Sequence, residues 1–113
     1  MTELTTHVLD TASGVPAAGV RVRLLPAGGG APLAVTETDA NGRAKLLPAT
    51  ALATGSYDLV FSVGAYFSAT GQAEPEPRFL DEAVVRFGLR TEIAHYHVPL
   101  LISPFGYTTY RGQ

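Results

Sequence analysis

Apolar and polar residues alternate along most of the chain in short stretches, and glycine, proline and asparagine interrupt them. Leu4–Asp10, Val20–Leu25, Leu33–Thr38, Tyr57–Val63, Ala83–Gly88 and His95–Ile102 read as strands, with VRVRLL in strict alternation and its arginines toward solvent. Ser103–Gly106 turns the chain into a last strand, Tyr107–Arg111. Between them lie a turn at Ala12–Gly14, a flexible AGGGAP loop at Ala27–Pro32, and the DANG turn of Asp39–Gly42. The Asn-Gly pair in that turn predicts a hairpin, with Arg43–Leu46 as its returning strand. Gly64–Gly71 is expected to form a short helix closed by Gly71. The EPEP of Glu74–Pro77 is expected to be loop, since closely spaced prolines cannot join a ladder. Seven or eight short strands with one helix predict an all-β fold, an antiparallel β-sandwich.

Composition narrows this picture. The 113 residues show no internal repeat or boundary and predict one domain over residues 1–113. With 46% apolar and 16% charged residues the chain is expected to fold rather than stay disordered. A net charge of -2 without any Lys/Arg run argues against a nucleic-acid partner. No stretch approaches the roughly 20 apolar residues of a membrane-spanning helix. The absence of cysteine removes disulfides, thiolate catalysis and Cys-ligated zinc together. The opening MTELTTHVLD has neither the basic nor the apolar region of a secretory signal, so a cytoplasmic location is expected.

Strand parity then sorts the candidate chemistry. Side chains alternate across a strand, so His95, His97, Pro99 and Leu101 share one face and Tyr96, Val98, Leu100 and Ile102 the other. Both faces are largely apolar, but a sandwich buries only one face of each sheet in its own core. The second face needs another cover, and a second copy of the chain is the simplest one. His7 shares its face with Thr5 and Leu9, while Asp10 points the opposite way, which argues against a local Asp–His pair. No serine has a nucleophile's context, because G-x-S-x-G is absent and Ser103 precedes a proline. The H-x-H pair with His7 also allows a three-histidine metal site, and the bland reading of each histidine is a hydrogen-bonded strand residue. Composition and parity therefore lead to an oligomeric β-sandwich with a histidine-bearing interface.

The two ends carry more. LTTHVLDTASGVPAAGV at Leu4–Val20 and HYHVPLLISPFGYTTYRGQ at His95–Gln113 resemble the signature segments of 5-hydroxyisourate hydrolases, the transthyretin-related enzymes of urate breakdown. TDANGR at Thr38–Arg43, YDLVFSVGAYFSATG at Tyr57–Gly71 and VVRF at Val84–Phe87 extend the likeness over nearly the whole chain. The resemblance implies a transthyretin-like sandwich of two four-stranded sheets and one short helix. It also implies a homotetramer whose active sites lie where two dimers meet around a channel. By this likeness His7, Arg43 and His97 are the catalytic set. Tyr110, Arg111, Gly112, Gln113, Pro99 and Leu101 are expected to line the substrate site, with the bulky Tyr110 shortening the channel and the end of the chain completing the pocket. His95 is expected to be structural. The family's closing Tyr-Arg-Gly-Ser is matched except at the last position, where Gln113 replaces a hydroxyl with an amide.

The implied reaction is hydrolysis of 5-hydroxyisourate at an acyl C–N bond, giving 2-oxo-4-hydroxy-4-carboxy-5-ureidoimidazoline, without metal or organic cofactor. One of His7 and His97 is expected to activate water, His97 being favoured, while the other acts with Arg43 on the substrate. Two other readings stay open from sequence. One is a transthyretin-like carrier that binds a small ligand without turnover. The other is a metal-binding protein using His7, His95 and His97.

Overall fold

The computed structural model describes residues 2–72 and 74–113. In chain order its elements are β1 (Glu3–Asp10), β2 (Val15–Pro16), β3 (Arg21–Pro26), β4 (Ala34–Glu37), β5 (Arg43–Leu46), β6 (Gly55–Phe61), α1 (Val63–Ala69), β7 (Ala83–Leu89), β8 (His95–Ser103) and β9 (Gly106–Thr109). The helix begins one residue earlier than the sequence suggests. It ends at Ala69, two residues short of the expected bound, and Gly71 closes it at φ 83°, with the Gln72 N–H donating to the Phe67 carbonyl at 2.8 Å.

The strands form the two layers of a sandwich. One sheet runs β4-β3-β6-β7, antiparallel throughout. In the other, β1 pairs with β8, and β9 lies beyond β8. The far edge of β1 is divided between β5, along Leu4–His7, and β2, along Leu9–Asp10. Two short strands thus share one column, so this layer is also four strands wide.

Two details depart from the sequence reading. The β1–β8 pair is parallel, whereas the reading was antiparallel. Parallel neighbours need a long crossover, and here nearly the whole chain supplies it. The second correction concerns Arg43–Leu46, which does not return as a hairpin beside the preceding strand. It crosses to the other sheet and pairs with β1. A two-residue hairpin of the Asn-Gly type needs positive φ at both central residues, but in this turn only Gly42 has it, at 76°. The Asp39 carboxylate instead accepts the N–H groups of Asn41 at 2.8 Å and Arg43 at 3.0 Å, which wraps the chain around it. Just before the turn, buried Thr38 donates to the Ala17 carbonyl at 2.6 Å and accepts from the Val20 N–H at 2.9 Å, which fixes where the crossing starts.

The inner residues of β1 and β8, among them Leu4, Val8, Val98, Leu100 and Ile102, form one cluster with Val22, Leu24, Leu59, Phe61 and Leu89 of the opposite sheet. Each large side chain so buried contributes roughly 1.5–3 kcal/mol. Asp10 is buried with them and accepts from Tyr66 Oη at 2.9 Å and from the Ala12 and Ser13 N–H groups at 3.0 Å. It faces away from His7, as parity anticipates. With the inner face so filled, the outer face of the β1–β8 pair carries the remaining chemistry.

Candidate active site

On that outer face the ladders arrange side chains in rows. Thr5 lies between Lys45 of β5 and His97 of β8, and the Gly112 N–H donates to the His97 carbonyl at 2.7 Å. In the next row His7 lies between Arg43 and Pro99, and beyond it Leu9 faces Leu101, which faces Thr108. The tail therefore continues the β9 side of the ladder past Thr109 and reaches the histidines. A cleft of about 350 Å³ opens here, bordered by Thr5, Arg43, Lys45, His95, His97 and Gln113.

Thr5 anchors the imidazoles. Its Oγ1 lies 2.8 Å from His97 Nδ1 and 2.9 Å from His95 Nε2. With Nδ1 engaged, Nε2 is the His97 nitrogen left for a ligand. Burial pushes the His97 pKa below its ordinary 6.5, and the charges of Arg43, His95 and His7 push the same way against hydrogen bonding to Thr5. His97 is therefore neutral at neutral pH and ready to accept a proton.

Arg43 is placed by the turn that carries the chain between sheets. The backbone N–H groups of Arg43 and Asn41 hold the Asp39 carboxyl below its ordinary value, with the nearby charges of Arg43 and His7 adding to the effect. Arg43, a permanent cation, borders the same cleft as His95 and His97. His7 is one row away from the cleft. Its Nε2 lies 2.9 Å from the Asn41 carbonyl oxygen, which only accepts, so that nitrogen carries the hydrogen.

The tail residues divide. Gly112 lies flat against His97: a Cβ there would stand 2.6 Å from His97 Cδ2 and 3.2 Å from Pro99 Cγ. Gln113 borders the cleft. The Arg111 guanidinium turns the other way and covers the Tyr96 ring, 4.9 Å from its centroid, while the residue still flanks a depression beside His95 and Gln113. Tyr110 is exposed and borders a different groove with Phe87, Tyr96 and Arg111, so within one chain it does not set the depth of the histidine cleft. Pro99 is buried and Leu101 half-buried, one and two rows from His97, and neither borders the cleft. Sequence reasoning missed Thr5, Lys45 and Asp39 as site residues. The parity that put Thr5 on the His7 face was the available signal, but the register setting it against His97 was not legible. Among the described residues, no three His, Cys, Asp or Glu side chains are grouped so as to hold a metal ion.

A family model described as "HIUase/Transthyretin family" matches residues 4–112. The chain is 52% identical to the 5-hydroxyisourate hydrolase of Mesorhizobium japonicum, over 97% of this chain and 91% of that protein. Among solved structures it is similar to the 5-hydroxyisourate hydrolase of Klebsiella pneumoniae, with 37% identity, a TM-score of 0.83 and full coverage of both chains. Transthyretin from Sparus aurata superposes with the same TM-score at 32% identity, covering 96% of this chain and 95% of that one.

Proposed function

The chain belongs to the HIUase/transthyretin family, and from that premise we propose that it hydrolyses 5-hydroxyisourate, opening the six-membered ring at an acyl C–N bond. One observation carries this reading beyond family likeness: a neutral, anchored imidazole and a permanent guanidinium border the same small cleft. Such a cleft, at about 350 Å³, is of the size that holds a bicyclic purine-derived ring. In the proposed reaction a water attacks the acyl carbon while its proton passes to His97 Nε2. The carbonyl oxygen takes up negative charge facing Arg43. The C–N bond then breaks, and the departing nitrogen takes a proton, with His7 as the second imidazole beside Arg43. A positioned acid–base group contributes typically about 10²–10⁴-fold. Gln113 supplies an amide that both donates and accepts at the rim.

The test is the decay of freshly generated 5-hydroxyisourate, followed by ultraviolet absorbance. The protein is expected to speed that decay well beyond the spontaneous rate, and to do so undiminished in excess chelator. Binding of the compound without acceleration would make the chain a carrier. Loss of activity to chelator would return the histidines to a metal.

We also propose that the chain works as a homotetramer with its sites at the dimer–dimer interface. The support is the outer face itself, where Leu9 and Leu101 lie side by side, only half-buried, next to the histidine rows. Sedimentation at micromolar concentration is expected to show a species of four 11.9 kDa chains. A monodisperse monomer there overturns the assembly.

A further inference from the structure

One threonine hydroxyl stands between two imidazoles. Thr5 Oγ1 is 2.8 Å from His97 Nδ1 and 2.9 Å from His95 Nε2, and a hydroxyl has a single proton to donate. Both nitrogens cannot accept from it at once. If Thr5 donates to His97 Nδ1, neutral His97 carries its hydrogen on Nε2, and His95 Nε2–H donates to the hydroxyl. If Thr5 donates to His95 Nε2, His97 Nδ1–H donates to the hydroxyl, and His97 Nε2 is a bare lone pair. Passing from the first arrangement to the second takes up one proton at His95 Nδ1. The two inner protons shift one place along the chain, and one proton leaves His97 Nε2, so the proton count is conserved.

The geometry points to Thr5 and His95 as positioning residues for His97. Whenever the shared hydroxyl donates to one imidazole and accepts from the other, the outer nitrogens of the two rings take opposite states, so His95 selects whether His97 Nε2 accepts or donates a proton. The surroundings pull the pair both ways. The cationic Arg43, bordering the same cleft, favours a bare His97 Nε2. The Glu3 carboxylate, 3.8 Å from His95 Nε2 and paired to Lys45 at 2.8 Å, favours a hydrogen on His95 Nε2 and hence on His97 Nε2. The consequence for turnover rests on the hydrolase reading, but the coupling is measurable without substrate.

His95 has a side chain 41% exposed, so it tolerates replacement. His95→Lys presents only donors to Thr5, and His95→Glu, ionised, presents only acceptors. Nitrogen-15 NMR of the folded variants, above the pH at which histidine titrates, reads which His97 nitrogen carries the hydrogen. The expected result is Nε2–H in His95→Lys and Nδ1–H in His95→Glu. With Thr5→Val added, the two variants are expected to converge on one tautomer, and with Thr5→Ser to stay apart. Turnover of 5-hydroxyisourate is expected to fall about 10–100-fold in His95→Lys, where the proton acceptor is lost, and to fall less in His95→Glu, where it is kept. Identical His97 tautomers in the two single variants overturn the proposal, as does a difference that survives Thr5→Val. A protein without hydrolase activity that shows the tautomer pattern refutes the reaction and keeps the coupling. An active enzyme lacking the pattern does the reverse.

Discussion

Replacing His97 by alanine is expected to lower kcat at least about hundredfold, while the sandwich and its assembly survive. The ring is the one group in the cleft that combines a lowered pKa, a fixed Nδ1 and a nitrogen left for water. Its loss leaves Thr5 with His95 as a hydrogen-bond partner at 2.9 Å, so no buried polar group is orphaned. The core lies on the opposite face of β8, at Tyr96, Val98, Leu100 and Ile102, and is untouched. The same assignment sets the pH profile. Burial, and after it the charges of Arg43, His95 and His7, place the His97 pKa below 6.5, so its base form persists above that value. In the wild type, kcat/KM is expected to rise with pH along a limb whose midpoint lies below 6.5 and to be level by neutrality. That limb is expected to vanish in His97→Ala. Near-normal turnover in the variant, with circular dichroism and sedimentation unchanged, rejects His97 as the base.

Much of this site is legible in the sequence, because parity is a local property. The alternation in HYHVPLLIS alone separates the histidine face from the core face, and the burial along β8 follows it at Tyr96, Val98, Leu100 and Ile102. What stayed hidden depends on pairing between distant strands. Thr5 is 92 residues from His97, and nothing in either strand announces that they share a row in parallel register. The Asn-Gly turn misled for a related reason: its composition marks a turn correctly, but the sheet that the chain enters next depends on which edge is free. The edge of β1 was free at Leu4–His7, and β5 filled it. Tyr110 shows the remaining limit. Its place on the tail is visible in the sequence, yet in one chain it borders the Phe87–Tyr96 groove rather than the cleft.

The turn that carries the chain between the sheets is also where fold and site depend on one atom, the hydrogen that stands for a side chain at Gly42. Gly42→Ala is expected to destabilise the protein by about 2–4 kcal/mol and to reduce turnover more than tenfold. Two independent costs combine. At φ 76° an alanine sits in the left-handed region, which disfavours any Cβ by roughly 1–2 kcal/mol. The added carbon would also meet the Val8 carbonyl oxygen at 2.4 Å and the Ala17 nitrogen at 3.2 Å. That oxygen has little freedom to retreat, because it already accepts the Ala17 N–H at 2.9 Å, and the Val8 N–H donates to the Gly42 carbonyl at 2.7 Å. Relief therefore means moving the turn off β1, and Arg43 is the next residue along. For a domain of this size each kcal/mol lowers Tm by about 4–8 °C, so a drop of about 10 °C or more is expected. Gly88→Ala, where the space is open and φ is not positive, serves as the control and is expected to shift Tm by no more than a few degrees. Because the damage at Gly42 falls on the placement of Arg43, kcat measured well below the new Tm is expected to remain depressed. A Gly42→Ala protein as stable and as fast as the wild type would mean that Arg43 does not depend on this turn for its position.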